Sequence, residues 1–333
     1  MDSNTFFDAL IIGGGPSGLS AAMALSRACR FVALFDSQEY RNESAPMAHN
    51  ILCHDGEKPE VYRATATEQI MEKYETITFI DTCITRARHI IGEKRPYFEL
   101  TNDKGRVWAG WKLILASGTE DLLPSIQGYK ELWGRGIVHC LFCDGYEHRG
   151  GHIGFLGLEC QRDFESLLLS FPVAKDGVTV FTNGKLIMPD DEDTRKMFKI
   201  ATARGASFDD RRIQSISQSP DGVGICLHFA DGSDRHLRML LHTPPTTNRA
   251  EQLIHSLGLE INPGPGNHVV SKSATGETSL RGCFVAGDTS TTAKIISVAA
   301  ATGSLAGMGA AKQLALEEGL QAYEGLSNER QAA

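Results

Sequence analysis

Apolar and polar positions alternate along this chain in blocks that change period. Ala9-Leu10-Ile11-Ile12 is a continuous apolar run of strand length. It stops at Gly13-Gly14-Gly15-Pro16-Ser17-Gly18, and Leu19 to Ala28 then reads as a helix. Phe31-Val32-Ala33-Leu34-Phe35 is a second strand, ending at Asp36. Strand, helix and strand in that order form a βαβ unit, which points to an α/β fold. The pattern is helical from Pro59 to about Tyr74, and Ile77-Thr78-Phe79-Ile80 reads as a strand. Cys83 to Val107 reads as strands and turns, with breakers at Gly92, Pro96 and Gly105. Lys112 to Ala116 is another apolar strand and runs into Ser117-Gly118-Thr119.

A second block opens near Thr119. His152-Ile153-Gly154-Phe155-Leu156-Gly157 is a strand and loop, followed by a helical run and the strand Val178-Thr179-Val180-Phe181. This is a weaker echo of the first βαβ unit, and it stops near Pro244-Pro245, which reads as a linker. Beyond it, Cys283-Phe284-Val285-Ala286 is a strand closed by Gly287-Asp288, and a small-residue helix is expected from about Ala293 to Leu314. The last fifteen or so residues are polar and alanine-rich, and fraying is expected there.

Composition narrows the function classes. The 333 residues predict about two domains at roughly 150 residues each. A core of that size needs no disulfide or metal staples. The formal net charge of −8 argues against nucleic acid as a partner, since that affinity needs clustered Lys and Arg. No stretch approaches the roughly 18 apolar residues of a membrane span. The start, Met1-Asp2-Ser3-Asn4, has no basic region before its apolar run, so a cytoplasmic, reducing location is expected. Of eight cysteines, only Cys140 and Cys143 lie close together. In a reducing compartment such a pair is catalytic or metal-binding more often than structural.

Gly13, Gly15 and Gly18 fit G-x-G-x-x-G between a strand and a helix. The first glycine allows the turn, the second lets a pyrophosphate approach the backbone, and the third packs helix on strand. Asp36 stands where a carboxylate binds a ribose hydroxyl. The loop alone leaves NAD and FAD open. Gly287-Asp288, a second strand end that can place an aspartate by the ribitol and phosphate, favours FAD.

Cys140-Leu141-Phe142-Cys143 has the C-x-x-C spacing, which lets two sulfurs meet across one turn and often lowers a thiolate pKa. Zinc is an alternative, but it needs two further ligands, and no second cysteine pair exists to join His139. Thiol exchange needs a base for the attacking thiol and an acid for the leaving one. Asp144, directly after Cys143, is the first candidate, with His148 and His139 behind it.

Taken together, these motifs resemble the low-molecular-weight thioredoxin reductase family, from Asp8 to about Gln313. Within it, His139-Cys140-Leu141-Phe142-Cys143-Asp144-Gly145-Tyr146-Glu147 is most similar to the fungal gliotoxin-type FAD-dependent dithiol oxidases, as are Tyr40-Arg41-Asn42 and His49-Asn50. The resemblance implies two Rossmann-like, three-layer ββα domains and a homodimer. The FAD domain is discontinuous, 1–118 with 247–318. The cysteine-bearing domain is 119–246, and 319–333 is a flexible tail. Cys140 is implied to exchange with substrate and Cys143 to face the flavin, with Asp144 and His139 completing the catalytic group. The implied FAD contacts are Gly13, Gly15, Pro16, Ser17, Gly18, Asp36, Arg41, His49, Asn50, Ile84, Ala116, Ser117, Gly118, Gly287, Asp288, Ile295 and Ile296.

One departure redirects the expected activity. A reductase of this family needs a second glycine-rich loop for NADPH, and the matching stretch is Gly157-Leu158-Glu159-Cys160-Gln161-Arg162. Glu159 stands where the close-approach glycine belongs, and Arg162 replaces the small packing residue. The stretch after the next strand, Phe181-Thr182-Asn183-Gly184, lacks the paired arginines that grip a 2′-phosphate. Electrons are then expected from a small-molecule dithiol, with O2 as the acceptor. An NADPH-dependent disulfide reductase and a flavin-binding redox sensor remain as alternatives.

Overall fold

The computed structural model of the chain describes residues 6–93, 95–158, 161–185, 192–264 and 266–332. It divides into two compact units. The first comprises Met1–Arg41, Glu60–Glu120 and Thr246–Ala333, and the second Asn42–Pro59 and Asp121–Pro245.

The first unit begins with β1 (Phe6–Ile12), α1 (Pro16–Arg27) and β2 (Val32–Asp36). It continues with α2 (Pro59–Lys73), β3 (Ile77–Asp81), β4 (Ile84–Ile90), β5 (Tyr97–Asn102) and β6 (Val107–Leu115). β3, β2, β1 and β6 lie side by side in parallel, which is why β1 and β2 read as continuous apolar runs. β5 joins antiparallel to the first part of β6, and β4 pairs antiparallel with β5 at the edge. α1 starts three residues before its expected Leu19. Pro16 occupies the first helical turn, where its fixed φ and missing N–H cost nothing, so Gly18 lies inside the helix.

The chain crosses to the second unit at β7 (Thr119–Asp121) and continues through α3 (Tyr129–Leu132), β8 (Ile137–Val138) and α4 (Leu141–Asp144). Then follow β9 (Ile153–Leu156), α5 (Gln161–Ser170), β10 (Val178–Phe181), α6 (Glu192–Arg204) and β11 (Ala206–Asp209). β12 (Ile213–Gln218), β13 (Ile225–Phe229) and β14 (Asp234–Leu237) form a separate antiparallel sheet, before β15 (Met239–Leu241). The parallel sheet has the order β11-β10-β9-β15-β8. Residues 42–59, expected with the FAD-domain segment 1–118, belong to this second unit. The bridge Ala48↔Glu57 closes them into a loop, and Ser44 and Ala45 lie against Gly134.

The return crossing is β16 (Thr246–Asn248), which pairs with β7. α7 (Glu251–Ser256), β17 (Cys283–Val285) and a 3-10 turn over Gly287–Thr289 complete the first unit, with α8 (Ile296–Ala332). β17 adds parallel to the end of β6, pairing Cys283 with Leu113. α8 runs to Ala332, so the expected frayed tail is helical. Two causes are visible. Its residues include strong helix formers such as Ala, Leu, Glu and Gln. The helix is also pinned just before that tail: the buried Lys112 Nζ lies 2.8 Å from both Glu317 oxygens, and Arg30 forks onto Glu318 at 2.5 and 2.9 Å. The small residues of α8 let it lie against α1. A Cβ at Gly303 would run into the Ser17 carbonyl, and one at Gly307 would meet Ala24 at 2.9 Å. Both units are Rossmann-like α/β folds. No helix among the described residues is long and apolar enough to cross a membrane.

Candidate active site

In the first unit the glycine loop, the ends of β2 and β6 and the β17 turn meet. Gly13 holds φ at 111°, and a Cβ there would run into the Ala116 carbonyl. A Cβ at Gly18 would run into the Gly13 carbonyl. These two positions therefore require glycine. Gly15 is the extended N-cap of α1, without a side-chain cap, and no atom lies within 4 Å of where its Cβ would stand. Space is therefore free beside the N-cap, at the end of α1 that carries the partial positive charge of a helix N-terminus. Ser17 is buried beneath the loop.

Around this cradle sit the other expected residues. Asp36 ends β2 against Gly14, and its carboxylate accepts bonds from the Tyr40 hydroxyl and the Gln38 N–H. Arg41 pairs with Asp288 at 3.3 Å. Gly287 (φ 67°) donates its N–H to Thr302 Oγ1 at 2.9 Å. Gly118 N–H donates to Thr289 Oγ1 at 2.9 Å, and Ser117 Oγ lies 3.4 Å from the same oxygen. Ile295 and Ile296 stand at the start of α8, where Ile295 N–H bonds the Ala293 carbonyl. Ile84 heads β4, buried within the sheet's core cluster.

His49 and Asn50, expected near the flavin, lie in the second unit. Asn50 N–H donates to Asp55 Oδ1 at 2.7 Å. His49 Nδ1 lies 2.9 Å from the Cys143 carbonyl oxygen, and Nε2 lies 3.6 Å from Glu147 Oε1. No local sequence signal marks this contact, since the loop and the cysteine are more than ninety positions apart.

The cysteine pair sits between β8 and the single turn α4. Cys140 and Cys143 are joined as a disulfide, with Cα atoms 5.2 Å apart. Cys143 and Asp144 N–H groups both donate to the Cys140 carbonyl, at 3.3 and 3.1 Å, which closes the turn. His139 stacks on Trp133 with ring centroids 5.7 Å apart, so its imidazole is held by an aromatic face. Phe142 and Tyr146 are about 70% exposed beside the disulfide, at 68% and 70%. Burial pushes the Asp144 carboxyl up to about 6, with His49 pulling down and Glu147 adding to the rise. Burial, with Arg238 nearby, holds His148 below the usual imidazole range. Asp144 is therefore a carboxyl poised to take or give a proton near neutral pH.

The second unit's own strand–turn–helix, β9 to α5, forms an open recess. Gly157, Asp163, His242 and Thr243 are among its lining. Asp163 puts a carboxylate in the first turn of α5. Tyr129 Oη lies 2.6 Å from His242 Nδ1, and burial pushes His242 down to about 4. Sequence reasoning missed this pair, whose members are 113 positions apart. After β10, the Asn183 amide oxygen accepts the Ile213 N–H at 2.8 Å, and Arg211 is forked onto Asp209. Glu159 and Cys160 lie outside the described residues.

A family profile described as pyridine nucleotide-disulphide oxidoreductase matches residues 7–303. This chain belongs to the pyridine nucleotide-disulphide oxidoreductase family. It is 37% identical over 321 residues to the thioredoxin reductase tcpT of Claviceps purpurea (strain 20.1), covering 94% of this chain and 96% of that one. It is 35% identical over 320 residues to the thioredoxin reductase aclD of Aspergillus oryzae, covering 94% and 98%. The crystal structure of an oxidoreductase from Agrobacterium tumefaciens superposes with a TM-score of 0.82 at 32% identity, covering 93% of this chain and 99% of that one. The family and its thioredoxin reductase relatives are FAD-binding flavoproteins. This family member is accordingly a thioredoxin reductase-like flavoprotein, a disulfide oxidoreductase that uses FAD.

Proposed function

We propose that this flavoprotein is a dithiol oxidase that closes an intramolecular disulfide in a small-molecule dithiol, with O2 as acceptor. The observation that carries the reading is the recess after β9. There, Asp163 presents a carboxylate at the helix start where a reductase docks the phosphates of NADPH. The Cys140–Cys143 disulfide is meanwhile present as an electron acceptor.

FAD fits the first unit. Gly13, Gly15 and Gly18 would admit its pyrophosphate, Asp36 its ribose, and Arg41, Gly287 and Asp288 the ribitol and phosphate side. Bound there, FAD supplies the onward transfer of an electron pair to dioxygen, giving hydrogen peroxide.

The residues carry the rest. A substrate thiolate attacks Cys140 Sγ, the Cys140–Cys143 bond breaks, and Cys143 leaves as a thiolate. The second substrate thiolate attacks the substrate sulfur of the mixed disulfide. The cyclic disulfide departs, and Cys140 is left reduced. Two electrons and two protons remain with the enzyme for each substrate oxidised, which balances one O2 reduced to one H2O2. Asp144, near half-protonated at pH 6, takes the proton of the attacking thiol and returns it to the leaving one. His49, bonded to the Cys143 carbonyl, holds the turn, and His139 is steadied on Trp133. The exposed rings of Phe142 and Tyr146 fit an apolar dithiol of the secondary-metabolite kind. The protein is proposed to act as a homodimer in the cytoplasm.

The relatives' names, thioredoxin reductases, favour a second reading, an NADPH-dependent disulfide reductase. One experiment separates the two. Oxygen uptake and peroxide formation are followed across a panel of dithiols without NADPH, and NADPH is then titrated anaerobically against the flavin absorbance. The oxidase consumes oxygen with a dithiol alone and is not bleached by NADPH. Rapid bleaching by NADPH, with no dithiol-dependent oxygen uptake, establishes the reductase.

A further inference from the structure

The β12–β13–β14 sheet has two unlike faces. Toward the core it sends Ile216, Ile225, Leu227, Phe229 and Leu237. On the other face, the alternation of a strand brings up Cys226 and His228 from β13. The antiparallel register sets Cys226 opposite His236 and His228 opposite Asp234 on β14, with Ser217 of β12 opposite Cys226 on its other side. A thiol, two imidazoles and a carboxylate therefore share one patch of a single hairpin.

The distances are short. One donor atom each from Cys226, His228 and Asp234 all lie within 4.8 Å of one another. His236 Nε2 is 3.9 Å from Cys226 Sγ. His228 Nδ1 lies 2.7 Å from Asp234 Oδ1, which holds those two side by side. Seryl oxygens reach the other ring nitrogens: Ser217 Oγ is 2.8 Å from His228 Nε2, and Ser219 Oγ is 3.3 Å from His236 Nδ1. The Ser219 contact leaves His236 Nε2 directed at the sulfur, in the manner of outer-shell partners that orient a metal-binding imidazole.

We propose that Cys226, His228, Asp234 and His236 form a binding site for a divalent transition metal of the zinc class. Tetrahedral zinc with bonds of about 2.0–2.3 Å sets its donors roughly 3.3–3.8 Å apart, so side-chain rotation of about an ångström closes the present spacing. A thiolate with imidazoles selects zinc and its neighbours over magnesium or calcium, which take oxygen donors. Cys226 is 3% exposed, and His228, Asp234 and His236 lie toward solvent. An ion can thus enter from the open side and meet the sulfur at the bottom. Nothing in the dithiol chemistry uses these residues, so the site is independent of that reading.

The test uses the full-length flavoprotein, free of any affinity tag and with Cys140–Cys143 kept oxidised so that pair offers no thiolate. Co²⁺ is the probe, read by d–d bands at wavelengths beyond the flavin absorption and by a thiolate-to-metal charge-transfer band in difference spectra. The expected result is one equivalent bound, displaced by Zn²⁺. Cys226→Ser should lose the charge-transfer band. His228→Ala combined with His236→Ala, both toward solvent and so compatible with folding, should weaken binding at least tenfold. Absence of Co²⁺ binding would overturn the proposal. So would binding that the His228/His236 double variant leaves unchanged.

Discussion

Asp144→Asn separates the stability of the cysteine turn from its chemistry. Burial raises the Asp144 carboxyl from 3.8 to about 6, so the folded protein holds this proton more tightly than the unfolded chain. That contribution to stability is full below pH 3.8 and is lost as pH rises through about 6. At pH 7.5 the ionised carboxylate is therefore a cost. A rise of about two pH units corresponds to about 3 kcal/mol at most, and the side chain's partial exposure brings the working figure nearer 1–2 kcal/mol. Asparagine keeps the shape and removes the charge. The variant should melt roughly 1–3 °C above the parent at pH 7.5, with the gap closing toward pH 4. Calorimetry across that range is the measurement. Dithiol-dependent turnover should fall about 100-fold, and the break near pH 6 in the pH–rate profile should vanish. A melting gap that is the same at pH 4 and 7.5, or a variant less stable at pH 7.5, would refute the account.

Four other perturbations probe separate parts. Cys143→Ser should keep its flavin absorbance and lose steady-state oxygen uptake with a dithiol. Gly18→Ala forces a methyl into the Gly13 carbonyl, so the purified protein should be colourless, measured as flavin absorbance per protein. Tyr129→Phe removes the bond from the buried Tyr129 to the half-buried His242 ring and should cost about 1–3 kcal/mol in urea unfolding. Glu317→Ala leaves the buried Lys112 ammonium without its carboxylate and should cost about 3–5 kcal/mol by the same measurement, whereas Lys112→Met with Glu317→Leu should recover most of it.

The sequence was most readable where the physics is local. The β1 run, the glycine loop and α1 show themselves within about twenty positions, because each glycine answers a steric need of its immediate neighbours. Cys140 and Cys143 are legible for the same reason, three positions apart and joined across one turn. Long-range partners were hidden. The part of α8 just before its end is anchored by Lys112 and Arg30, which lie 205 and 288 positions from the acids they bind. Residues 42–59 were expected with the FAD-domain segment 1–118, and only folding shows them packed by Gly134 and Cys143. Within β13, the period-2 pattern is broken because Cys226 is buried on the outer face beside His228. A sheet whose outer face carries a thiol and imidazoles does not read as apolar-in, polar-out.

The ion pair between Lys112 and Glu317 also sets an order of events during synthesis. All residues of the second unit, 42–59 and 121–245, have left the ribosome while β17 and α8 are still unmade. That unit can close its core at once, as domains emerging first generally do. The first unit cannot. Its α1 lacks the helix it packs against, the end of β6 lacks β17, and Lys112 lacks its carboxylate until residue 317 emerges. The chain's earliest βαβ unit is therefore among the last parts to become native, and the nascent protein must shelter that open sheet edge for most of its translation.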